Sequence, residues 1–237
     1  MTININYVVD DFALIMSDRR LSKGLKGDFG YTDDNKKVVN VRHMGWFTGA
    51  GLYNFITPFV NTISKSGTLE IDEIVEIYKE LNKEVYDLNP EYREKLEDSS
   101  VSFSFVTGNG LTNFPKLYIG YLNSDSLKGD TLQVIPDDCF RIIRPSDYQG
   151  EIEDLKVFSN EYTENRGSKK LEDVIKRFLL IFKELLDGSN LAIEECDIGI
   201  YRKNGRGFSK YILSGNVNDL LTSHDSGKIL ELINSIR

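Results

Sequence analysis

Histidine and cysteine are almost missing from this chain of 237 residues, with two of each: His43, His224, Cys139 and Cys196. Two histidines leave little material for a zinc site or a histidine-based catalytic triad, which disfavours metallohydrolase and serine-hydrolase chemistry. Two cysteines cannot build a disulfide framework. They could form one bridge, but are read as two free, buried thiols of a reducing compartment. An excess of basic charge is also absent. The net charge is −8 and the pI about 5.0, which argues against nucleic acid or an anionic membrane as partner. No apolar run approaches the ~20 residues that span a bilayer. The opening MTININYVVDD turns acidic at once and lacks a signal peptide's basic and apolar regions. The expected location is therefore cytoplasmic. No proline- or glycine-rich linker, internal repeat or low-complexity tract divides the chain, so one domain over 1–237 is expected.

What is present is ordinary globular material: 40% hydrophobic and 28% charged residues. Residues 3–9 and 12–16 are β-branched and apolar around Asp10-Asp11 and read as a hairpin. A glycine-rich loop with Gly24, Gly27 and Gly30 follows, then two expected strands at 37–43 and 44–48. Gly49-Ala50-Gly51 opens a helical stripe of Leu52, Phe55, Ile56, Phe59, Val60 and Ile63, with Pro58 inside it. A second amphipathic helix carries Ile74, Val75, Tyr78, Leu81 and Val85, and ends near Leu88 ahead of Pro90. Strands are expected at 101–106, 116–122, 131–135 and 139–143. The apolar stripe from Leu171 to Leu185 reads as a long helix, and 197–203 with 208–213 as a hairpin about Asn204-Gly205. The segment from Val217 onward is expected to be helical. Strands, helices, strands, helices and strands in that order suit two sheets with helices on their outer faces.

Four short motifs are less generic. Thr2 precedes the first hairpin, and Asp18 lies sixteen positions later in Ser17-Asp18-Arg19-Arg20-Leu21-Ser22-Lys23-Gly24. Asn35-Lys36-Lys37-Val38 and Phe47-Thr48-Gly49-Ala50-Gly51 follow. In order and spacing the chain resembles proteasome β subunits and the subunit of the bacterial ATP-dependent protease ring. These are N-terminal-nucleophile (Ntn) hydrolases. The resemblance implies an α+β fold, a four-layer αββα sandwich of two antiparallel sheets flanked by helices.

The resemblance also implies roles. Thr2, made N-terminal by removal of Met1, would be the nucleophile, with its own α-amine as base. Lys37 would hold that amine unprotonated by like-charge repulsion, and Asp18 would keep the lysine charged and placed. Lys36 is the alternative lysine; on a strand only one of the two can face the site. Gly49 would offer an oxyanion N–H, and Ser22 and Gly51 would bind an extended substrate backbone. Ser168, ahead of the Leu171 helix, is the match for the family's supporting serine, although its turn is more charged than the family's. The implied activity is cleavage of peptide or other amide bonds, in a homo-oligomer that could be a ring, with no cofactor and no metal. A catalytically silent subunit with a structural role is the alternative, and a small-amide hydrolase a third reading. Plainer roles also exist. Asp18 can cap a turn and pair with Arg20, the glycines can serve a tight turn, and His43 and Cys139 read as structural.

Overall fold

The computed structural model describes residues 2–23, 30–33, 35–42, 44–67, 70–108, 115–129, 131–153, 170–190, 192–205, 207–229 and 231. The first hairpin forms where the alternation places it: β1 (Asn4–Val9) and β2 (Phe12–Asp18) pair antiparallel across Asp10-Asp11. Both strands are buried almost throughout, because each lies inside a sheet covered on both faces. A short pair, β3 (Leu21–Lys23) and β4 (Gly30–Thr32), brackets the glycine-rich stretch. Then come β5 (Val39–Asn40) and β6 (Trp46–Ala50). The strand expected over 37–43 is therefore reduced to two residues, and Lys37 precedes it in irregular backbone. Two residues earlier, Asn35 N–H donates to Arg19 O at 3.3 Å rather than to a strand neighbour.

Helices α1 (Tyr53–Lys65) and α2 (Ile71–Leu88) follow. Pro58 lies within α1 without ending it. Glu73 caps α2 by accepting from Glu70 N–H at 2.7 Å. The short helix α3 (Arg93–Glu97) leads into β7 (Ser100–Gly108) and β8 (Pro115–Leu122). Helix α4 (Ser124–Gly129), β9 (Gln133–Val134) and β10 (Phe140–Ile143) come next. The chain closes with α5 (Leu171–Asp187), β11 (Glu195–Asn204), β12 (Gly207–Asn216) and α6 (Val217–Asp225).

Two five-stranded antiparallel sheets result, ordered β10-β1-β2-β11-β12 and β5-β6-β7-β8-β9. Each side-chain parity has its own destination. Ile3, Ile5, Tyr7, Leu14 and Met16 pack outward onto Val174, Phe178 and Phe182 of α5. Phe47, Val101 and Phe103 pack onto Phe55, Phe59 and Tyr78 of α1 and α2. Val8, Ala13, Ile15, Trp46, Ile119 and Tyr201 fill the space between the sheets. These layers are the expected αββα sandwich. Both cysteines are free thiols, but only Cys196 is buried. Cys139, expected in the interior, is exposed, because it sits in the turn just before the edge strand β10.

Trp46 fastens the sheets together. Its indole Nε1–H donates to Ile200 O at 2.9 Å, across the interface. Gly199 makes room for the ring: a Cβ there would lie 2.4 Å from Trp46 Cγ and 2.8 Å from its Cβ. Those atoms are at the root of the side chain and cannot swing away. Gly199→Ala is therefore expected to separate the sheets locally and to cost about 1–3 kcal/mol, read as a lower midpoint in urea unfolding.

Candidate active site

Thr2 extends β1 by two residues, at the end of the hairpin where β2 terminates in Asp18. The hairpin register sets Asn4 opposite Ser17, so that Asp18 comes beside the segment before β1. Two backbone contacts tie the pieces together: Asp18 N–H donates to Ile3 O at 3.3 Å, and Ser17 Oγ donates to the same carbonyl at 3.1 Å.

Asp18 is completely buried. Its Oδ1 accepts from Ile3 N–H at 3.1 Å and from Lys37 Nζ at 2.8 Å, and its Oδ2 accepts from Arg20 N–H at 3.2 Å. The Lys37 side chain is only 7% exposed. Its Nζ also donates to Thr2 Oγ1 at 3.0 Å. The geometry thus brings Thr2, Lys37 and Asp18 together, and it decides between the lysines. Lys36 is exposed, and Lys37 is the one that reaches Thr2. The remaining expected residues are spread wider. Gly49 is buried in β6, where a Cβ would meet the Ile56 side chain at 2.6 Å. Gly51 forms the strand-to-helix turn with φ +114°, and a Cβ there would strike Ser99 Cα at 2.6 Å. Backbone conformation and space both demand glycine at that position. Ser22 occupies the middle of β3, opposite Tyr31. Its side chain lies outside the described residues, as do Ser168 and His43.

Burial dominates the electrostatics of the pair. Desolvation pushes the Asp18 carboxyl up, against the pull of Lys37 and the Ile3 N–H. Desolvation likewise holds the Lys37 ammonium below its ordinary value, against Asp18, and the nearby Arg20 adds to the lowering. Arg20 does not pair its guanidinium with Asp18. It reaches the exposed Asp33 at 2.9 and 3.2 Å, and that bond lowers the Asp33 carboxyl. Only the backbone N–H of Arg20 caps Asp18.

A second buried carboxylate braces this region, and no motif in the sequence pointed to it. Asp197 of β11 is fully buried and accepts from Arg19 at 2.7 Å and from Ser214 Oγ at 2.5 Å. Arg19 N–H in turn donates to Glu195 O, while its carbonyl receives Asn35 N–H. The segment that delivers Lys37 is therefore anchored to β11 through Arg19. The available signal was a lone aspartate in an otherwise apolar stretch, Cys196-Asp197-Ile198-Gly199-Ile200, which requires a buried partner. No group of three or more His, Cys, Asp or Glu among the described residues could hold a metal ion. No described helix is long and apolar enough to cross a membrane.

Removing one partner of the Lys37–Asp18 pair would leave the other buried and uncompensated. Lys37→Met and Asp18→Asn are each expected to cost about 3–5 kcal/mol of stability. The double variant is expected to lose much less than the sum of the singles. Chemical denaturation of all three proteins measures both.

No family model matches this sequence, and no curated protein does. Solved structures do match over the full length. The Anbu (Gly-1) mutant from Hyphomicrobium sp. strain MC1 is 13% identical, with a TM-score of 0.60, and the match covers 100% of this chain and 98% of that one. A second structure, Anbu from the same strain, is 12% identical with a TM-score of 0.61, covering 99% of this chain and 98% of its own. At such identities the likeness is one of fold, and the fold of this chain is that of Anbu, a proteasome-like Ntn-hydrolase sandwich.

Proposed function

We propose that this protein is a threonine-type Ntn hydrolase that cleaves peptide or related amide bonds, with Thr2 as nucleophile once Met1 has been removed. The observation that carries this reading is the position of Lys37 Nζ, 3.0 Å from Thr2 Oγ1 and 2.8 Å from the buried Asp18. An ammonium at that distance stabilises negative charge developing on Oγ1. It also disfavours a second positive charge on the Thr2 α-amine, which leaves the amine able to accept a proton.

The reaction then runs in balanced steps. The hydroxyl proton of Thr2 passes to the α-amine as Oγ1 attacks the substrate carbonyl carbon, forming a C–O bond and an oxyanion. Gly49 N–H is the proposed donor to that oxyanion. β5 pairs only with Trp46 and Phe47 of β6, so this side of Thr48–Ala50 lacks a strand neighbour among the described residues. That edge supports binding of an extended substrate backbone at Gly49 and Gly51, and Ser22 is proposed as a further contact to it. Collapse breaks the C–N bond, and the leaving amine takes the proton from the α-ammonium. Water then cleaves the acyl ester by the same route and restores Thr2. Ser168 is proposed as the supporting hydroxyl.

Thr2→Ala is expected to abolish hydrolysis of a peptide substrate while leaving the melting temperature nearly unchanged. Thr2→Ser, which keeps hydroxyl and amine, should retain part of the turnover. A folded Thr2→Ala protein with wild-type turnover would rule out the assignment. Intact-mass measurement of protein from its native host checks maturation. Loss of one methionine is required for activity, and full retention would favour a silent, structural subunit.

The pH profile follows from the lowered Lys37. Lysine is charged below its pKa, so raising the pH through that value discharges Nζ and removes its field from Thr2. The alkaline limb of kcat/KM is therefore expected to fall below the ordinary lysine value of 10.5. The acid limb should follow protonation of the α-amine.

A homo-oligomer is proposed as the working form. Tyr53 is 49% exposed at the start of α1, and Tyr86 and Leu88 are 40% and 71% exposed at the end of α2, which leaves apolar surface on the outer helical layer. Light scattering at micromolar concentration is expected to give a multiple of the 27.0 kDa chain mass. A sharp monomer would refute this part.

A further inference from the structure

Thr2, Asn4 and Asn6 alternate along one face of the first strand and its extension, the face opposite Ile3, Ile5 and Tyr7. Val8 continues that face into the apolar layer between the sheets. The matching face of the second sheet carries Ser100, Ser102 and Ser104 of β7, with Thr48 directly across from Ser102. All of these side chains except Thr2 are buried. Asn6 Nδ2 donates directly across the gap to Ser102 Oγ at 3.4 Å. Arg141 enters from β10, where it is the register partner of Asn6. It donates to Ser102 Oγ at 3.2 Å and to Ser100 Oγ at 2.8 Å, and its guanidinium lies 4.1 Å from the Tyr121 ring centroid. No carboxylate among the described residues forms an ion pair with it.

Within this polar layer four buried atoms have no protein partner among the described residues: both amide atoms of Asn4, Oδ1 of Asn6 and Oγ1 of Thr48. Burying such groups unpaired is expensive, and buried polar groups are almost always satisfied by protein or by ordered water. The chemistry of the set selects what satisfies it. Two amide oxygens would repel an anion. The Arg141 charge, which shares Ser102 Oγ with Asn6, would repel a cation. Water both donates and accepts, and so suits an amide NH2, two amide oxygens and a hydroxyl at once. Space is consistent with this, since facing sheets lie about 10 Å apart, and here short serine and threonine side chains oppose the asparagines.

We propose that the layer between the sheets behind Thr2 is a water-binding site, in which Asn4, Asn6 and Thr48 hold ordered water molecules that hydrate the Arg141 guanidinium. Burial holds that guanidinium below its ordinary pKa, and waters at this place supply the solvation that no carboxylate among the described residues provides. The site lies along the strand face that begins at Thr2, but its existence does not depend on Thr2 being a nucleophile.

A high-resolution crystal structure of the full chain, grown in rubidium bromide, tests the proposal directly. The expected result is density within hydrogen-bond distance of Thr48 Oγ1 and of an Asn4 amide atom, without anomalous signal. Anomalous rubidium or bromide at that position, or no density at all, would overturn it. Thr48→Val supplies an independent arm, since it removes the hydroxyl and keeps the shape. A hydrated site predicts a melting temperature lower by about 2–4 °C, whereas a dry site predicts a rise, because a lone buried hydroxyl has been removed. If Thr48→Val fails to fold, Thr48→Ser keeps the hydroxyl and is expected to retain the density. Neither arm reads turnover, so failure of the nucleophile assignment would leave both outcomes interpretable.

Discussion

A carboxylate with none of its surface in water must be given hydrogen-bond donors, and Asp18 is such a carboxylate. It obtains three: the backbone N–H groups of Ile3 and Arg20, and the Lys37 ammonium. The first fixes the segment that carries Thr2. The second fixes the chain as it leaves β2. The third holds the Lys37 ammonium against Thr2 Oγ1. Three stretches of chain are thus arranged around one charge. Lys37 is buried as well, so neither partner can be withdrawn without stranding the other.

The layered fold makes that burial possible. β2 lies between β1 and β11, with α5 on one face and the second sheet on the other. A residue at its end is therefore remote from solvent on nearly every side. The Arg19–Asp197–Ser214 cluster extends the same logic one strand further, and ties the Lys37 segment to β11 and β12. The interface between the sheets is unequal along its length. Toward β8 and the far end of β11 it is apolar and locked by Trp46 in the space left by Gly199. Behind Thr2 it turns polar, with asparagines facing serines and a threonine. A packed end supplies rigidity, and a polar end stands next to the reactive hydroxyl.

Much of this was written in the sequence. Alternation over 3–9, 12–16 and 101–106, and the Leu171–Leu185 stripe, set strand and helix because side-chain periodicity is a local property. Asn204-Gly205 fixed the last hairpin for the same reason. The resemblance to proteasome β subunits implied that Thr2, Asp18 and Lys37 share one site, and the register of the first hairpin does return Asp18 to the start of the chain. Tertiary structure decided the rest. Strand pairing alone could not tell Lys36 from Lys37, because the segment is irregular and its direction is set by a hydrogen bond to Arg19. Nor could it reveal that Arg20 turns to Asp33, that Asp197 braces the site, or that Cys139 is exposed at an edge. Each of these depends on groups far apart in the chain meeting in space, and burial, which sets what a charge or an amide must do, exists only once the layers have closed.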